Sequence, residues 1–346
     1  MSEATTIAAG DLHRFAVAIF EAAGFSTAHA HATADVLVWA DLRGHASHGV
    51  MRIPSYLGWA AKGIIDPSAR PVVTRRRGAV VTLDARRAIG PAALVEAAGI
   101  AAEQARETAL AWVVVKDHSH AGAIGYYARL IAEAGLMAVV MTGSRPLMAY
   151  YGTRDAAVAT NPLAVAMPGG FLFDMSSAAI AKGKIAAAAA SGKALPRGVA
   201  CDADGQVTTD PAKAVTILPL GGAKGAGLSL AIEALTSLSL GNPLIASALG
   251  DAREAKDVRQ NSLVVAVDPE AIEGGGDVAQ GVAETAHALK AQPRAQGFDE
   301  ILMPGERGDR EAARRSVGGI RIAAKTWAEL AAVASEHGVA MPEGAP

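Results

Sequence analysis

Cysteine occurs once in the 346 residues, as Cys201, and aromatic residues make up only 4%. A single thiol closes no internal disulfide and builds no cysteine-rich zinc site, which suits a reducing compartment. Neither sign of charge is in surplus: 32 Lys and Arg stand against 34 Asp and Glu, a formal net charge of −2. A face that neutralises phosphates would show as a basic excess, so no nucleic-acid partner is expected. No apolar run approaches the roughly 18 residues that suggest a membrane-crossing helix, and no membrane partner is expected either. The stretch 1–15 carries acids where an export signal carries cations ahead of an apolar block, which predicts a cytoplasmic location. Also missing is the dinucleotide fingerprint G-x-G-x-x-G after a strand, with an acid about twenty residues on.

What is present describes a compact chain of one or two domains, with 51% hydrophobic and 19% charged residues. That composition excludes disorder as its main state, and a chain of this length can hide roughly three quarters of its unfolded surface, so it needs no covalent staples. Phe15, Ile19 and Phe20 form an apolar stripe at helical spacing over 13–23. Ser26 or Thr27 then caps a second helix that stops at Gly44, and a short one runs over 54–62. Brief β-branched or apolar runs at 79–83, 112–115, 137–141, 163–167, 171–173 and 263–267 read as strands. Helical patterns fall between and after them, at 92–109, 123–134, 178–190, 228–235, 310–316 and 326–337. The economical reading is a mixed α/β layer architecture, with the glycine run 274–276 as a surface loop.

Nine histidines include two close pairs, His45 with His48 and His118 with His120. Neither pair has the cysteines or carboxylates at ligand spacing that a zinc site needs, so no metal is expected. Ser47 precedes His48, but adjacent side chains are expected to point apart, and no G-x-S-x-G elbow exists. Acid–base work suits a histidine better, since its ordinary pKa lies near 6.5. Four residues beyond His48 stands Arg52, whose planar fork matches a carboxylate. Together they could grip an α-substituted acid and exchange a proton with its neighbouring oxygen; equally, Arg52 could pair with a surface acid while His48 caps a helix. His120 follows a strand beside Gly122, a good place to line a cleft. Asp174 is a candidate to orient a histidine, or only to cap the helix after it. The cluster 221–227 opens a helix with Lys224 at its start, either an anion site or a solvated turn.

In order and spacing over most of the chain these segments resemble one family. They are Ala40-Asp41-Leu42-Arg43-Gly44 leading to Ser47-His48-Gly49-Val50 and Arg52-Ile53-Pro54-Ser55-Tyr56, then Ser119-His120 with Gly122, Gly152 and Thr160-Asn161-Pro162. Further on come Asp174-Met175, Ala181-Lys182-Gly183-Lys184, Asp202-Ala203-Asp204-Gly205, Thr209-Asp210-Pro211, Pro219-Leu220-Gly221-Gly222-Ala223-Lys224-Gly225 and Pro304-Gly305-Glu306-Arg307. The resemblance is to the malate/L-lactate dehydrogenase type that lacks the Rossmann fold, which also contains ureidoglycolate, sulfolactate and diketogulonate enzymes and cyclic-imine reductases.

The resemblance implies a helical domain built from both chain ends (1–75 with 305–346), a mixed-sheet α/β domain (76–304), and a homodimer. It implies NAD or NADP in the cleft, met by Ser144, by Asp174, Met175, Ser176, Ser177, Ala178, Ala179 and Ile180, by Lys224, and by Gly305, Glu306 and Arg307. Arg52 and Tyr56 fall on the substrate side, and His48 or else His120 transfers the proton. The implied reaction is hydride exchange with a small 2-hydroxy or 2-oxo acid, the alternatives being reduction of a cyclic imine carboxylate and a non-catalytic small-molecule binding module. Relatives often carry Asp where Ala46 stands, an aromatic residue where Ala121 stands, and Ala-Thr-Ser where Ser176-Ser177-Ala178 stands. Loss of the ring at Ala121 predicts a wider pocket beside His120.

Overall fold

The computed structural model describes residues 4–250, 258–273 and 276–342. Its largest sheet has seven strands, in the spatial order Val72–Arg77, Val80–Asp84, Leu110–His118, Gln260–Val267, Met137–Gly143, Pro162–Met167 and Phe171–Ser176. One neighbouring pair is parallel, Val80–Asp84 with Leu110–His118, and the rest are antiparallel, so the sheet is mixed. The parallel pair needs a crossover, supplied by the helix Gly90–Thr108. Pro91 at its start and Ala93, Leu94, Ala97, Ala98, Ala101 and Ala105 on its inner face seat that helix against Val113 and Val115. The helix Gly125–Glu133 joins the same core through Tyr127, Ala128 and Ile131. On the strand Met137–Gly143, Ala138 and Val140 point into that core, while Gly143, of the opposite parity, faces Thr236 of the helix Ala223–Thr236.

A second core is helical. Leu12, Phe15, Ile19 and Phe20 of the helix Ala9–Ala22 meet Leu37 of Thr27–Leu42, Ile53 and Tyr56 of Ile53–Ala61, and Trp327 and Leu330 of Ala324–Glu336. The two ends of the chain are also zipped directly, Thr5–Ile7 pairing antiparallel with Ile320–Ile322. A smaller four-stranded sheet joins Ala200–Cys201, Thr216–Ile217, Met148–Ala149 and Ala156–Val158.

Several expectations need correction. The alanine-rich segment begins its helix at Lys182, not near 178 (Lys182–Ser191). Ala178 bridges Pro219, and the Ala179 N–H donates to the Leu218 carbonyl at 2.9 Å, so backbone pairing overrides helical propensity there. The strand Val72–Arg77 carries no sequence signal, because two valines, a threonine and three arginines show no alternation and every residue of it is exposed. Ala121 does not open a hollow: it is buried in the sheet core, with its N–H bonded to Gln260 and its carbonyl to the Tyr127 hydroxyl. Of the glycine run 274–276, residues 274 and 275 lie outside the described residues.

Candidate active site

The helix Thr27–Leu42 is capped by Arg43 and turned away by Gly44, at φ +81°, and the chain then winds through two short 3-10 turns, Ala46–His48 and Val50–Arg52. Buried Asp41 holds this loop in place: its Oδ2 accepts from the Val50 N–H at 2.8 Å, while Gly49 passes so close that an added Cβ would lie 2.0 Å from Asp41 Oδ1. Burial pushes the Asp41 carboxyl up to about 7, against the opposing pull of the Val50 N–H and of Arg315. Val50 and Ile53 anchor the loop from below in the helical core, each worth about 1.5–3 kcal/mol of burial.

His48, Arg52, Tyr56 and His120 come together above that anchor. The His48 and His120 rings stand 5.6 Å apart and the Tyr56 and His120 rings 6.0 Å apart. His120 Nδ1 lies 2.9 Å from the Tyr56 hydroxyl and also accepts from the Gly122 N–H at 3.2 Å. A nitrogen accepting from a backbone N–H carries no proton, so Tyr56 donates as well and the neutral ring holds its hydrogen on Nε2. Burial keeps the Tyr56 hydroxyl protonated by pushing its pKa upward. Contrary to expectation, Ser47 and His48 do meet: Ser47 Oγ is 2.9 Å from His48 Nδ1 within the 3-10 turn. Burial, then Arg52 and His45, lower the His48 pKa to about 4. Burial, Arg52, His48 and His118 hold His120 well below its ordinary value.

Arg52 does not pair with an acid among the described residues; its Nε donates to the Ser47 carbonyl at 2.6 Å, which leaves the forked end of the guanidinium unclaimed. His118, by contrast, is a core residue, bonded at Nδ1 to the Ser119 carbonyl (2.6 Å) and at Nε2 to Ser262 Oγ (2.9 Å).

A second group of residues borders the first. An added Cβ at Gly183 would stand 3.7 Å from Ser47 Cβ, so the turn after Ala178, Ala179 and Ile180 runs alongside the His48 loop. Asn161 ties this region together, accepting from the Ser144 N–H at 3.1 Å and donating to the Ser229 carbonyl at 2.9 Å. Ser177 donates its N–H to the Thr160 carbonyl (3.2 Å) and accepts from the Leu220 N–H (2.9 Å), while its buried hydroxyl has no partner. Ser176 Oγ accepts from the Ala178 N–H at 3.0 Å. Lys224 is exposed in the first turn of Ala223–Thr236, and Gly225 packs so tightly that a Cβ would meet Leu220 and Ser177 backbone atoms at 2.5–2.6 Å.

Asp174, next to Met175 in the strand Phe171–Ser176, orients no histidine by any hydrogen bond or ion pair among the described residues; its Oδ2 accepts from the Gly125 N–H at 3.0 Å. It thus caps a helix, though a different one from that expected. Gly305, at φ +91°, packs on Leu172 and gives its carbonyl to buried Arg43 at 2.8 Å. Arg43 also pairs with Asp309 and lies 5.0 Å from the Trp39 ring, a fastening that the sequence did not reveal. Glu306 is committed to Lys290, the Met303 N–H and Arg310, which hold its carboxyl down to about 2. Arg307 is exposed beside it. Asp41 and Arg43 are the residues that sequence reasoning missed; their only signal was membership of one short motif.

The arrangement pairs an acid-free arginine and two neutral imidazoles with a neighbouring glycine-rich helix start and an orphaned buried hydroxyl. Among the described residues no group of three or more His, Cys, Asp or Glu is disposed to hold a metal ion. None of the described helices is long and apolar enough to cross a membrane.

Residues 7–331 match the family model described as malate/L-lactate dehydrogenase. The L-sulfolactate dehydrogenase of Methanocaldococcus jannaschii is 34% identical over 312 residues, covering 89% of this chain and 90% of that one. The Δ1-pyrroline-2-carboxylate/Δ1-piperideine-2-carboxylate reductase of Pseudomonas putida is 32% identical over 310 residues, covering 87% and 89%. The solved sulfolactate dehydrogenase from M. jannaschii superposes with a TM-score of 0.87 over 96% of this chain and 98% of that one, at 31% identity. The chain therefore belongs to the malate/L-lactate dehydrogenase family and is an oxidoreductase of that family.

Proposed function

We propose that the protein is an NAD(P)-dependent dehydrogenase that exchanges a hydride with a small 2-hydroxy or 2-oxo acid in the groove of His48, Arg52, Tyr56 and His120. The observation that carries this reading is Arg52, whose fork has no carboxylate among the described residues and whose charge adds to burial in depressing both neighbouring imidazoles. A substrate carboxylate would complete it with two parallel hydrogen bonds. That negative charge would also offset Arg52 and raise the affinity of His48 for a proton at the moment it must take one.

The two histidines divide the work. Donation of Nδ1–H to Ser47 Oγ, 2.9 Å away, would leave His48 a bare Nε2 that can remove the hydroxyl proton during oxidation. His120, its Nδ1 occupied by Gly122 and Tyr56, presents Nε2–H as a hydrogen-bond donor to the same oxygen. The hydroxyl of Ser177, the N–H groups at the start of Ala223–Thr236, Lys224 and the turn at Gly305 and Arg307 are suited to hold a dinucleotide, since helix starts and lysines stabilise phosphates. A bound nicotinamide supplies or accepts the hydride. On this reading the two cores are the two domains, the assembly is a homodimer and the location is the cytoplasm.

A second reading, reduction of a cyclic imine carboxylate, is supported by the P. putida relative and by the same arginine, which would hold that acid as well. Absorbance assays with NADH and NADPH against 2-oxo acids and cyclic imines separate them. Turnover of 2-oxo acids is the expected result, turnover of imines alone selects the second reading, and no nicotinamide-dependent change with either panel overturns both.

A further inference from the structure

Away from the groove of His48 lies an open cleft of about 680 Å³ with almost entirely charged walls. That volume falls in the range of small-molecule sites, but an apolar ligand would find little to bury against here. The acids of the wall are already matched: Asp84 with Lys116 (2.9 Å), Asp66 with Arg87 (4.0 Å) and Asp117 with Arg259 (3.6 Å). Arg70 and Arg86 line the same cleft and have no carboxylate partner among the described residues. Positive charge is therefore left over, carried by two planar forks that suit phosphoryl or carboxylate oxygens.

The wall is also strained. Arg86, Arg87 and Asp117 sit at φ +53°, +66° and +57°, and all three line the cleft. Left-handed backbone at side-chain-bearing residues persists only where the surroundings over-determine it, and it gathers at binding sites. Here the determinant is a crossing of two segments: the Ala85 N–H donates to the Lys116 carbonyl (2.9 Å), Arg87 to Asp117 (2.8 Å), and Ser119 to Ala88 (3.1 Å). The crossing continues to the catalytic side, where the Gly90 N–H donates to Ser119 Oγ at 2.9 Å and Gly90 lies too close to the His120 carbonyl to admit a Cβ. One face of the crossing thus forms the cleft, and its end sets the position of His120.

We propose that this cleft binds a compact anion carrying two or more negative charges, and that occupancy is transmitted to His120 through the crossing of 84–90 with 116–120. Calorimetric titration with pyrophosphate and, separately, citrate at matched ionic strength tests the site and shows whether phosphoryl or carboxylate oxygens suit it. The expected result is saturable binding of at least one of them that survives Arg52→Gln and weakens about tenfold or more in Arg70→Gln/Arg86→Gln, the size of one lost charge-assisted hydrogen bond. Binding that vanishes with Arg52→Gln but survives the double substitution would place the anion in the substrate groove and overturn the site. Heats that sodium chloride reproduces would overturn it too. Nitrogen-15 spectra of the imidazoles, with His120 assigned by His120→Gln, should show its ring signals moving on saturation in the parent and not in the double variant. Unmoved signals at saturation would overturn the transmission.

Discussion

The two groups of residues that border each other at the candidate site are built to different standards. Around His48 and Arg52 the backbone is clamped by Asp41, backed by Val50 and Ile53, and bonded ring to hydroxyl through Ser47 and Tyr56. In the second group, Ser177 Oγ is buried without a partner, Lys224 is exposed, and the helix Lys182–Ser191 buries none of its residues. On the proposed reading, proton transfer would be prearranged by the chain alone, whereas the side assigned to the dinucleotide retains a buried hydroxyl that a ligand would satisfy. An unpaired buried hydroxyl costs about 1–3 kcal/mol, which a bound ligand would offset.

The comparison can be broken first at the clamped side. His48→Ala is expected to lower kcat by about 10²- to 10⁴-fold while dinucleotide affinity, read by fluorescence titration, stays unchanged; near-normal turnover would move the base to His120. Gly49→Ala drives a methyl into the Asp41 carboxylate and should cost on the order of 10²-fold in turnover together with a lowered Tm, because a displacement of about an ångström is enough to spoil the geometry. A variant as active as the parent would show the clamp to be soft.

Arg52→Gln should reduce kcat/KM for carboxylate substrates about 10- to 100-fold, as a charge-assisted bond worth about 1.5–3 kcal/mol is lost. It should also move the pH profile. His48 must be unprotonated to act as a base, so the acid limb of kcat/KM for oxidation is expected near 4 in the parent. Removal of the Arg52 charge shifts it upward, with burial still holding it below 6.5. An acid limb that stays in place after the substitution would separate the arginine from the histidine. The smallest effect belongs to the other side: Ser177→Ala should stabilise the ligand-free protein by about 1 kcal/mol and weaken dinucleotide binding, whereas a loss of stability would mean that the hydroxyl is satisfied without any ligand.

Much of this was legible in the chain. Helical periodicity placed the first two helices within a few residues, and β-branched runs found most strands of the large sheet, because those elements are buried on one face. The four-residue step from His48 to Arg52 was visible, and the structure keeps the two close enough for the arginine's charge to act on the ring. What stayed hidden depends on contacts distant in sequence or on local winding. Asp41 reads as an ordinary helix residue until Val50 folds back on it, and Ser47 meets His48 only because the backbone there is 3-10 rather than extended. Ala121 looked like a gap left by a missing ring, yet the sheet core had closed over it.

The zipped pairing of Thr5–Ile7 with Ile320–Ile322 has a bearing on synthesis. Trp327 and Leu330, which help build the floor under Ile53 and Tyr56, leave the ribosome more than three hundred residues after the first helix. The nascent chain can form its large sheet while translation proceeds, but the helical half must wait, apolar and uncovered, for the last segment to arrive. Closure of the floor under Tyr56 thus waits for the last segment, and a chain ended before Ile320 would lack both the strand pairing and the Trp327 and Leu330 contacts.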